Sequence, residues 1–398
     1  MFKKIEVDNF KSLVYFSMEL TPMTVIVGNN ATGKSSILQV IDFLCNSVNE
    51  DFNVTLERRN WYVDNVRSKI HANNSKIQIN SLIELQVDGG QRQFLWELSI
   101  NAYSSKNLME LHAEKITNAD TGNVLLDYVQ GKGGFYLGDK TQFPIPDGFV
   151  MQSSILKNIA YGAGGSRELL LIKAFLQNSV SFEMLSPADM RLSSRGKTDS
   201  IGLSGNALPS FIKSMDVDQK ERFLKKLAYL LDGKITGVEA KTKGKPGWTE
   251  ICVQENYKNR QLSINSKELS DGMLRILAFV AISEMEKKPA VMLLDEIENG
   301  INISYAEHLI EILKEICAEH ERQLVVTTHS TVFLDYVNSS DIVYLYRDDQ
   351  GITKAVSLFA SEKMRSQLEY MWPGEVLLNM SQTDILEKLL SGKREDVC

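Results

Sequence analysis

The chain has 398 residues, 43% hydrophobic and 24% charged, enough to bury a large core and to form two or more structural units. A formal charge of −7 and a pI near 5.5 leave no global basic footprint for nucleic acid, and the longest apolar run, 276–282, is far short of a membrane span. Cys45, Cys252, Cys317 and Cys398 lie far apart with no paired spacing, which argues against a zinc ribbon or disulfide framework and for buried or idle thiols.

The opening Met1-Phe2-Lys3-Lys4-Ile5-Glu6 lacks the apolar core of a signal peptide, so a cytoplasmic location without membrane contact is expected. Residues 2–9, 14–20 and 23–27 read as three short strands. The third runs into Val25-Ile26-Val27-Gly28-Asn29-Asn30-Ala31-Thr32-Gly33-Lys34-Ser35-Ser36, an apolar strand turning through a glycine-bounded loop into a helix that begins near Ser35 and runs to about Asn46. This fits the phosphate-binding pattern G-x-x-x-x-G-K-[ST], which arises by chance in about one chain of this length in a hundred. A triphosphate needs close approach by backbone N–H donors. Gly28 and Gly33 allow that, and the helix N-terminus adds a favourable dipole. Lys34 is suited to reach the β- and γ-phosphates, and the Ser35 hydroxyl is suited to Mg²⁺. Asn30 and Ser36 complete the ATP-binding set of this stretch.

Beyond the helix, residues 51–76 read as a poorly patterned connection, and 77–87 with 93–100 as a hairpin of period-two alternation about Gly89-Gly90. Residues 131–148, with five Gly and two Pro, read as a loop. Helices are expected at 166–177 and 218–231, the second with Phe223, Leu224, Leu227, Leu230 and Leu231 on one face. No sustained heptad is present, which excludes a long coiled-coil arm. Lys220, Arg222, Lys225, Lys226, Lys234, Lys241, Lys243 and Lys245 form a basic cluster that reads first as a solvated helix face and charged loop, and second as a local nucleic-acid surface.

Strand signals at 249–253 and 261–264 precede Glu268-Leu269-Ser270-Asp271-Gly272-Met273-Leu274-Arg275 and the apolar helix 276–285. A Ser-x-Gly turn at a helix N-terminus is an anion site or a plain N-cap. The run Ala290-Val291-Met292-Leu293-Leu294-Asp295-Glu296 is a buried strand ending in two acids, whose side chains point to opposite sides. One is suited to Mg²⁺ through water and the other to polarising an attacking water. A helix at 304–321 and a second buried strand at 323–328 follow, ending in His329, which is placed to sense a γ-phosphate. His71, His112, His308 and His320 have no such context.

Gly28 to Ser36, Leu269 to Gly272, Leu293 to Glu296 and Thr327 to Ser330 together resemble the phosphate loop, signature, acidic strand and switch histidine of ABC-class ATPases. The opening Ile5-Glu6-Val7-Asp8-Asn9-Phe10-Lys11-Ser12, the Ser-Asp-Gly signature and Glu296-Ile297-Glu298-Asn299-Gly300 are most similar to the soluble RecF, SMC and OLD-like branch. The resemblance implies an α/β fold: an ABC-type ATPase head with an antiparallel β subdomain, a parallel-sheet nucleotide-binding core and a helical signature subdomain. We expect lobes at 1–150, 151–288 and 289–398. It further implies ATP hydrolysis with Mg²⁺, Glu296 and His329 as catalytic residues, and Ser35, Asp295 and Gln152 as the metal shell. Ser270 and Gly272 would contact ATP held by a partner subunit in a two-fold homodimer.

Ala31 stands where the family's loop has glycine, Ile297 replaces the usual proline after the catalytic acid, and Asn302 replaces a more usual acidic or histidine residue. None of these removes a charge-bearing catalytic group. OLD-like nucleases carry a metal-dependent nuclease domain, and no further acidic cluster follows here, so no nuclease is expected within this sequence. Two roles are implied: an ATP-driven switch or scaffold for a separately encoded effector in bacterial anti-phage defence, or a RecF-like recombination or repair ATPase that binds DNA directly. A transporter motor fits less well, because Lys34 and Ser270 lie further apart than transporters use.

Overall fold

The computed structural model describes every residue except 72, 138–140, 147, 161–165, 183–184, 243–246, 259, 288, 319–321 and 391–398. The fold is mixed α/β, with antiparallel and parallel pairing. The chain divides into two units, one of Met1–Ser179 with Ser340–Ala360, the other of Val180–Ser339 with Ser361–Cys398.

In the first unit an eight-stranded sheet begins with Phe16–Glu19, Phe2–Asp8 and Lys76–Val87, continues through Gly90–Tyr103 and Leu108–Asn118, and ends with Val124–Val129, Gly134–Leu137 and Thr141–Pro144. The sequence hairpin is present, with Val87 opposite Gly90 and Ile79 opposite Leu98. Its alternation has a physical cause: Ile77, Ile79, Ile83, Trp96, Leu98 and Ile100 are buried, and a one-residue slip would turn them all to solvent.

Two expectations are corrected. Residues 51–76 contain the helices Phe52–Arg58 and Val63–Val66. Both are too short for a periodic signal, yet Phe52, Leu56, Val63 and Val66 are buried. The expected loop 131–148 contains a hairpin of Gly134–Leu137 and Thr141–Pro144 with Phe135 stacked on Phe143. Its glycines and prolines masked the pattern, and Pro144 is tolerated because it ends an edge strand.

The same unit pairs Met23–Gly28 in parallel with Ile342–Arg347, which is antiparallel to Thr353–Ser357. Met23 to Val27 are buried throughout, as a strand covered on both faces requires. The helix Lys34–Asn46 follows the loop, burying Ile37, Leu38, Val40, Ile41, Phe43 and Leu44.

The second unit pairs Val291–Leu294 in parallel with Gln323–Thr327, and the helix Ala306–Ala318 lies between them in sequence. Residues 319–321 of the expected helix, including His320, lie outside the described residues. The helices Val217–Leu230 and Asp271–Ser283 begin at capping side chains, Asp216 and Ser270. Beside them an antiparallel sheet joins Trp248–Tyr257 to Ser194–Arg195, Ile235–Thr242 and Arg260–Asn265. Among the described residues, no helix is long and apolar enough to cross a membrane.

Candidate functional site

The phosphate loop in the first unit is built by close backbone approach. A Cβ on Gly28 would run into the carbonyl of Leu345 on the parallel neighbour strand. Gly33 has φ of 106°, and a Cβ there would lie 2.7 Å from Ser12 Oγ and 2.8 Å from Thr353 Oγ1. Only glycine fits either position without displacement. Ala31 also has positive φ, 62°, and this left-handed conformation is the one that glycine supplies at no steric cost.

Two side chains far away in sequence hold this strained turn. Arg347 donates from Nε to the carbonyl of Ala31 at 2.7 Å. Thr353 donates to the carbonyl of Thr32 at 2.8 Å. Within the turn, the Thr32 hydroxyl donates to the Asn29 carbonyl at 2.8 Å. Lys34 is buried and donates to the carbonyls of Gly28 at 2.8 Å and Asn29 at 3.0 Å, so its ammonium spans the loop. Asn30 is exposed, and Ser35 and Ser36 are half-buried on the first turn of the helix.

Gln152 is half-buried in the first unit, where its carbonyl accepts from Phe52 N–H at 2.7 Å. Cys45 on the loop's helix is buried and its thiol is pushed up to about 12 by desolvation, so it stays protonated. Cys252 is also buried, Cys317 is half-buried, and Cys398 lies outside the described residues.

In the second unit, Asp295 and Glu296 lie immediately beyond the buried strand Val291–Leu294, and His329 lies two residues beyond Gln323–Thr327. The Thr327 hydroxyl donates to Asp295 Oδ1 and accepts from Glu296 N–H, the latter at 2.9 Å. His329 Nε2 lies 4.0 Å from Glu296 Oε1, both side chains being solvent-accessible. Glu296 has φ of 47°, a left-handed glutamate directly after the strand. Such backbone strain concentrates where a side chain must be aimed.

Glu298 was not singled out from the sequence. Its carboxylate accepts from the Thr328 hydroxyl at 2.7 Å and from His329 N–H at 2.5 Å, so it ties the turn after one strand to the turn after the other. Its signal was visible as the third acid in Asp295-Glu296-Ile297-Glu298. Ile297 is fully buried, which explains an aliphatic residue there, and Asn302 caps the following turn by accepting from Ser304 N–H at 3.1 Å.

Ser270 accepts from Met273 N–H at 3.2 Å and so serves as an N-cap. A Cβ on Gly272 would collide with the Gly300 carbonyl, which ties the signature turn to the loop after the acidic strand. Arg191 bridges the Leu269 carbonyl at 2.9 Å and Asp271 at 2.5 Å.

The basic cluster is largely paired with acids. Arg222 lies 2.8 Å and Lys226 2.9 Å from Glu284, Lys225 2.6 Å from Glu221, and Lys241 3.2 Å from Glu239. Lys243 and Lys245 lie outside the described residues. Of the remaining histidines, His71 packs on Tyr15, His112 contacts Lys76 Nζ, and His308 packs on Tyr229.

Comparison with known proteins adds family matches to this geometry. Residues 1–125 match a family described as "AAA ATPase domain", and residues 176–335 one described as "AAA domain, putative AbiEii toxin, Type IV TA system". Curated proteins give no match. Among solved structures, an SMC head domain from Thermotoga maritima is 15% identical, covering 89% of this chain and 98% of its own with a TM-score of 0.45. A Pyrococcus furiosus structure, the Smc head domain with an extended coiled coil bound to the C-terminal domain of ScpA, is 15% identical, covering 92% and 98% with a TM-score of 0.47. An SmcHead bound to the C-winged helix domain of ScpA is 16% identical, covering 89% and 96% with a TM-score of 0.49.

Proposed function

We propose, from the premise that the chain carries AAA-family ATPase domains consistent with an ABC-class ATPase of the RecF- and SMC-like branch, that it is an ATP-hydrolysing dimeric switch serving a separately encoded effector. ATPases of this kind use ATP and a divalent metal. The observation that carries the reading is the convergence of Asp295, Glu296 and His329 at the ends of two parallel buried strands, tied together by Thr327 and Glu298.

Each donor suits a divalent cation by its own chemistry: in the first unit Ser35 is a half-buried residue carrying a hydroxyl directly after the glycine loop, and in the second Asp295 is a carboxylate that accepts from the Thr327 hydroxyl. In this reading Gly28, Asn30, Gly33, Lys34, Ser35 and Ser36 take the triphosphate, with Lys34 exchanging loop carbonyls for phosphate oxygens. Ser35, Asp295 and Gln152 would hold Mg²⁺, which would offset charge on the phosphate oxygens. Glu296 accepts the proton of the attacking water, and His329 donates toward the γ-phosphate. The lobes 1–150, 151–288 and 289–398 then carry the loop, the signature and the acidic strand. Ser270 and Gly272 contact ATP on the partner subunit.

The description of the 176–335 match, which names a toxin–antitoxin system, supports a bacterial defence context. The ion-paired basic cluster adds nothing to the DNA-binding alternative. Light scattering tests the switch. Glu296→Gln with ATP and Mg²⁺ should accumulate a dimer, and adding Ser270→Arg should abolish it. A mass that stays at one subunit in the first protein, or a dimer that survives in the second, overturns the dimer mechanism. Co-purification with the product of the adjacent gene tests the effector.

A further inference from the structure

Glu114 is a fully buried acid in the antiparallel sheet of the first unit, and none of the roles above uses it. Its place inside follows from a bulge. Along Leu108–Asn118 the buried side chains are Met109 and Leu111, then Glu114, Ile116 and Asn118. The parity changes where the register slips between Ser99–Ala113 and Ile100–Leu111, leaving His112 as the extra residue. A bulge of this kind re-aims the side chains that follow it. Here it turns an acid into the core, a costly placement that the alternating pattern alone would not produce.

Three donors meet that carboxylate. Trp96 Nε1–H reaches Oε1 at 3.0 Å, the Ser154 hydroxyl reaches Oε1 at 2.6 Å, and Ile155 N–H reaches Oε2 at 2.7 Å. Ser154 is itself committed as a donor, because its oxygen accepts from Leu156 N–H at 3.1 Å. Two of the three bonds land on the segment that carries Gln152. The same segment is held by Leu111 N–H on the Met151 carbonyl at 2.8 Å, Phe52 N–H on the Gln152 carbonyl at 2.7 Å, and Ser154 N–H on the Ser47 carbonyl at 3.1 Å. Glu114 is the one acidic side chain in this set.

We propose that Glu114 is a positioning residue for ATP turnover: as a carboxylate it fixes the backbone of residues 151–155 and thereby sets the direction of Gln152. The proposal rests on the ATPase reading and on Gln152 in the metal shell. Glutamine at 114 keeps the volume but fails the chemistry, because an amide has one accepting oxygen and its NH₂ must face at least one of three donors. The segment should therefore loosen although no cavity is made.

Hydrogen exchange without nucleotide is the first test. Glu114→Gln should lower protection of the Ile155 and Leu156 amides at least tenfold while leaving amides of the helix Lys34–Asn46 unchanged. The second test is turnover against Mg²⁺ concentration. Glu114→Gln and Gln152→Ala should each raise the Mg²⁺ needed for half-maximal rate by about tenfold, and the double variant should be no worse than either, since residues acting through one another are not additive. Additive losses, unchanged protection, or a Gln152→Ala protein with wild-type Mg²⁺ dependence would each overturn the proposal. If Glu114→Gln does not fold, Ser154→Ala removes one donor and leaves the carboxylate, and the same protection loss is expected. A wild-type protein without any ATP turnover would sink the ATPase reading instead, and the exchange result would still decide whether Glu114 holds the segment.

Discussion

The phosphate loop of the first unit and the acidic turn of the second solve different problems. The loop presents backbone. Its selective features are therefore places where a side chain would obstruct, Gly28 and Gly33, and distant residues that hold a strained turn, Arg347 and Thr353. The acidic turn presents side chains. Its selective features are carboxylates and an imidazole aimed by a hydroxyl and by a third carboxylate, Thr327 and Glu298. A backbone site is damaged by adding atoms, whereas a side-chain site is damaged by changing charge at constant volume.

The largest expected effect tests the charge half of that contrast. Glu296→Gln keeps shape and removes a base, so ATP turnover should fall by roughly 10²–10⁴ while ATP affinity is retained. His329→Ala should slow turnover less and also spare binding. Steady-state phosphate release together with calorimetric titration checks both, and parent-rate turnover in both variants would show that the acidic turn is misassigned.

Glu114 supplies a pH effect. Burial lifts its carboxyl from 4.5 to about 7, against the opposing hydrogen bonds from Ser154, Ile155 and Trp96. The folded state therefore holds the proton more tightly than the unfolded chain. The stability this confers is complete below pH 4.5 and is lost as pH rises through about 7, about 3 kcal/mol in all. Denaturant titrations of wild type and Glu114→Gln across that range should show the difference between them shift by this amount, and parallel curves would refute the assignment. Turnover should move the other way, rising with pH through about 7, because only the ionised form accepts from three donors. The other groups that border Glu114 are Leu98 and Tyr128 on the neighbouring strands, and the Tyr128 phenol is raised by its own burial and by Glu110 and Glu114.

Lys34→Ala tests the loop by deletion. Removing a charge-assisted contact is worth about 1.5–3 kcal/mol, so ATP affinity should fall roughly ten- to a hundredfold in calorimetry. Unchanged affinity would mean that the loop binds no triphosphate.

The two regions also differ in how much of them could be read from sequence. Gly28, Gly33, Lys34 and the pair Asp295-Glu296 were legible because each lies within a few residues of the strand or helix that fixes its geometry. Arg347 and Thr353 were not, since they reach the loop across more than 300 residues of chain and nothing local marks them. Glu114 was hidden for a different reason: a bulge reverses the in–out parity of its strand, so a strict period-two reading places it on the wrong face. The helix Phe52–Arg58 was missed because about two turns give no measurable period. Strongly patterned elements were legible because burial dictates their pattern: one face is buried along Lys76–Val87, which therefore alternates, and Asp271–Ser283 is continuously apolar from Ile276 because it is buried on all sides there.

The smallest effect separates strain that serves chemistry from strain that does not. Ala31 and Glu296 are both left-handed non-glycine residues, at φ of 62° and 47°. For alanine that conformation costs about 1–2 kcal/mol, and glycine would relieve it while adding about 0.4–1 kcal/mol of unfolded-state entropy. Ala31 is exposed, so its methyl group buries nothing that glycine would forfeit. Ala31→Gly should therefore raise stability by about 0–1.6 kcal/mol and leave ATP affinity unchanged, because the Arg347 and Thr353 bonds fall on main-chain carbonyls. Relief at position 296 would instead remove the carboxylate and with it turnover. Denaturant titration and calorimetry on Ala31→Gly decide the point: a clear loss of stability, or ATP affinity weakened several-fold, would show that the left-handed turn needs the alanine side chain and that the loop is not a pure backbone site.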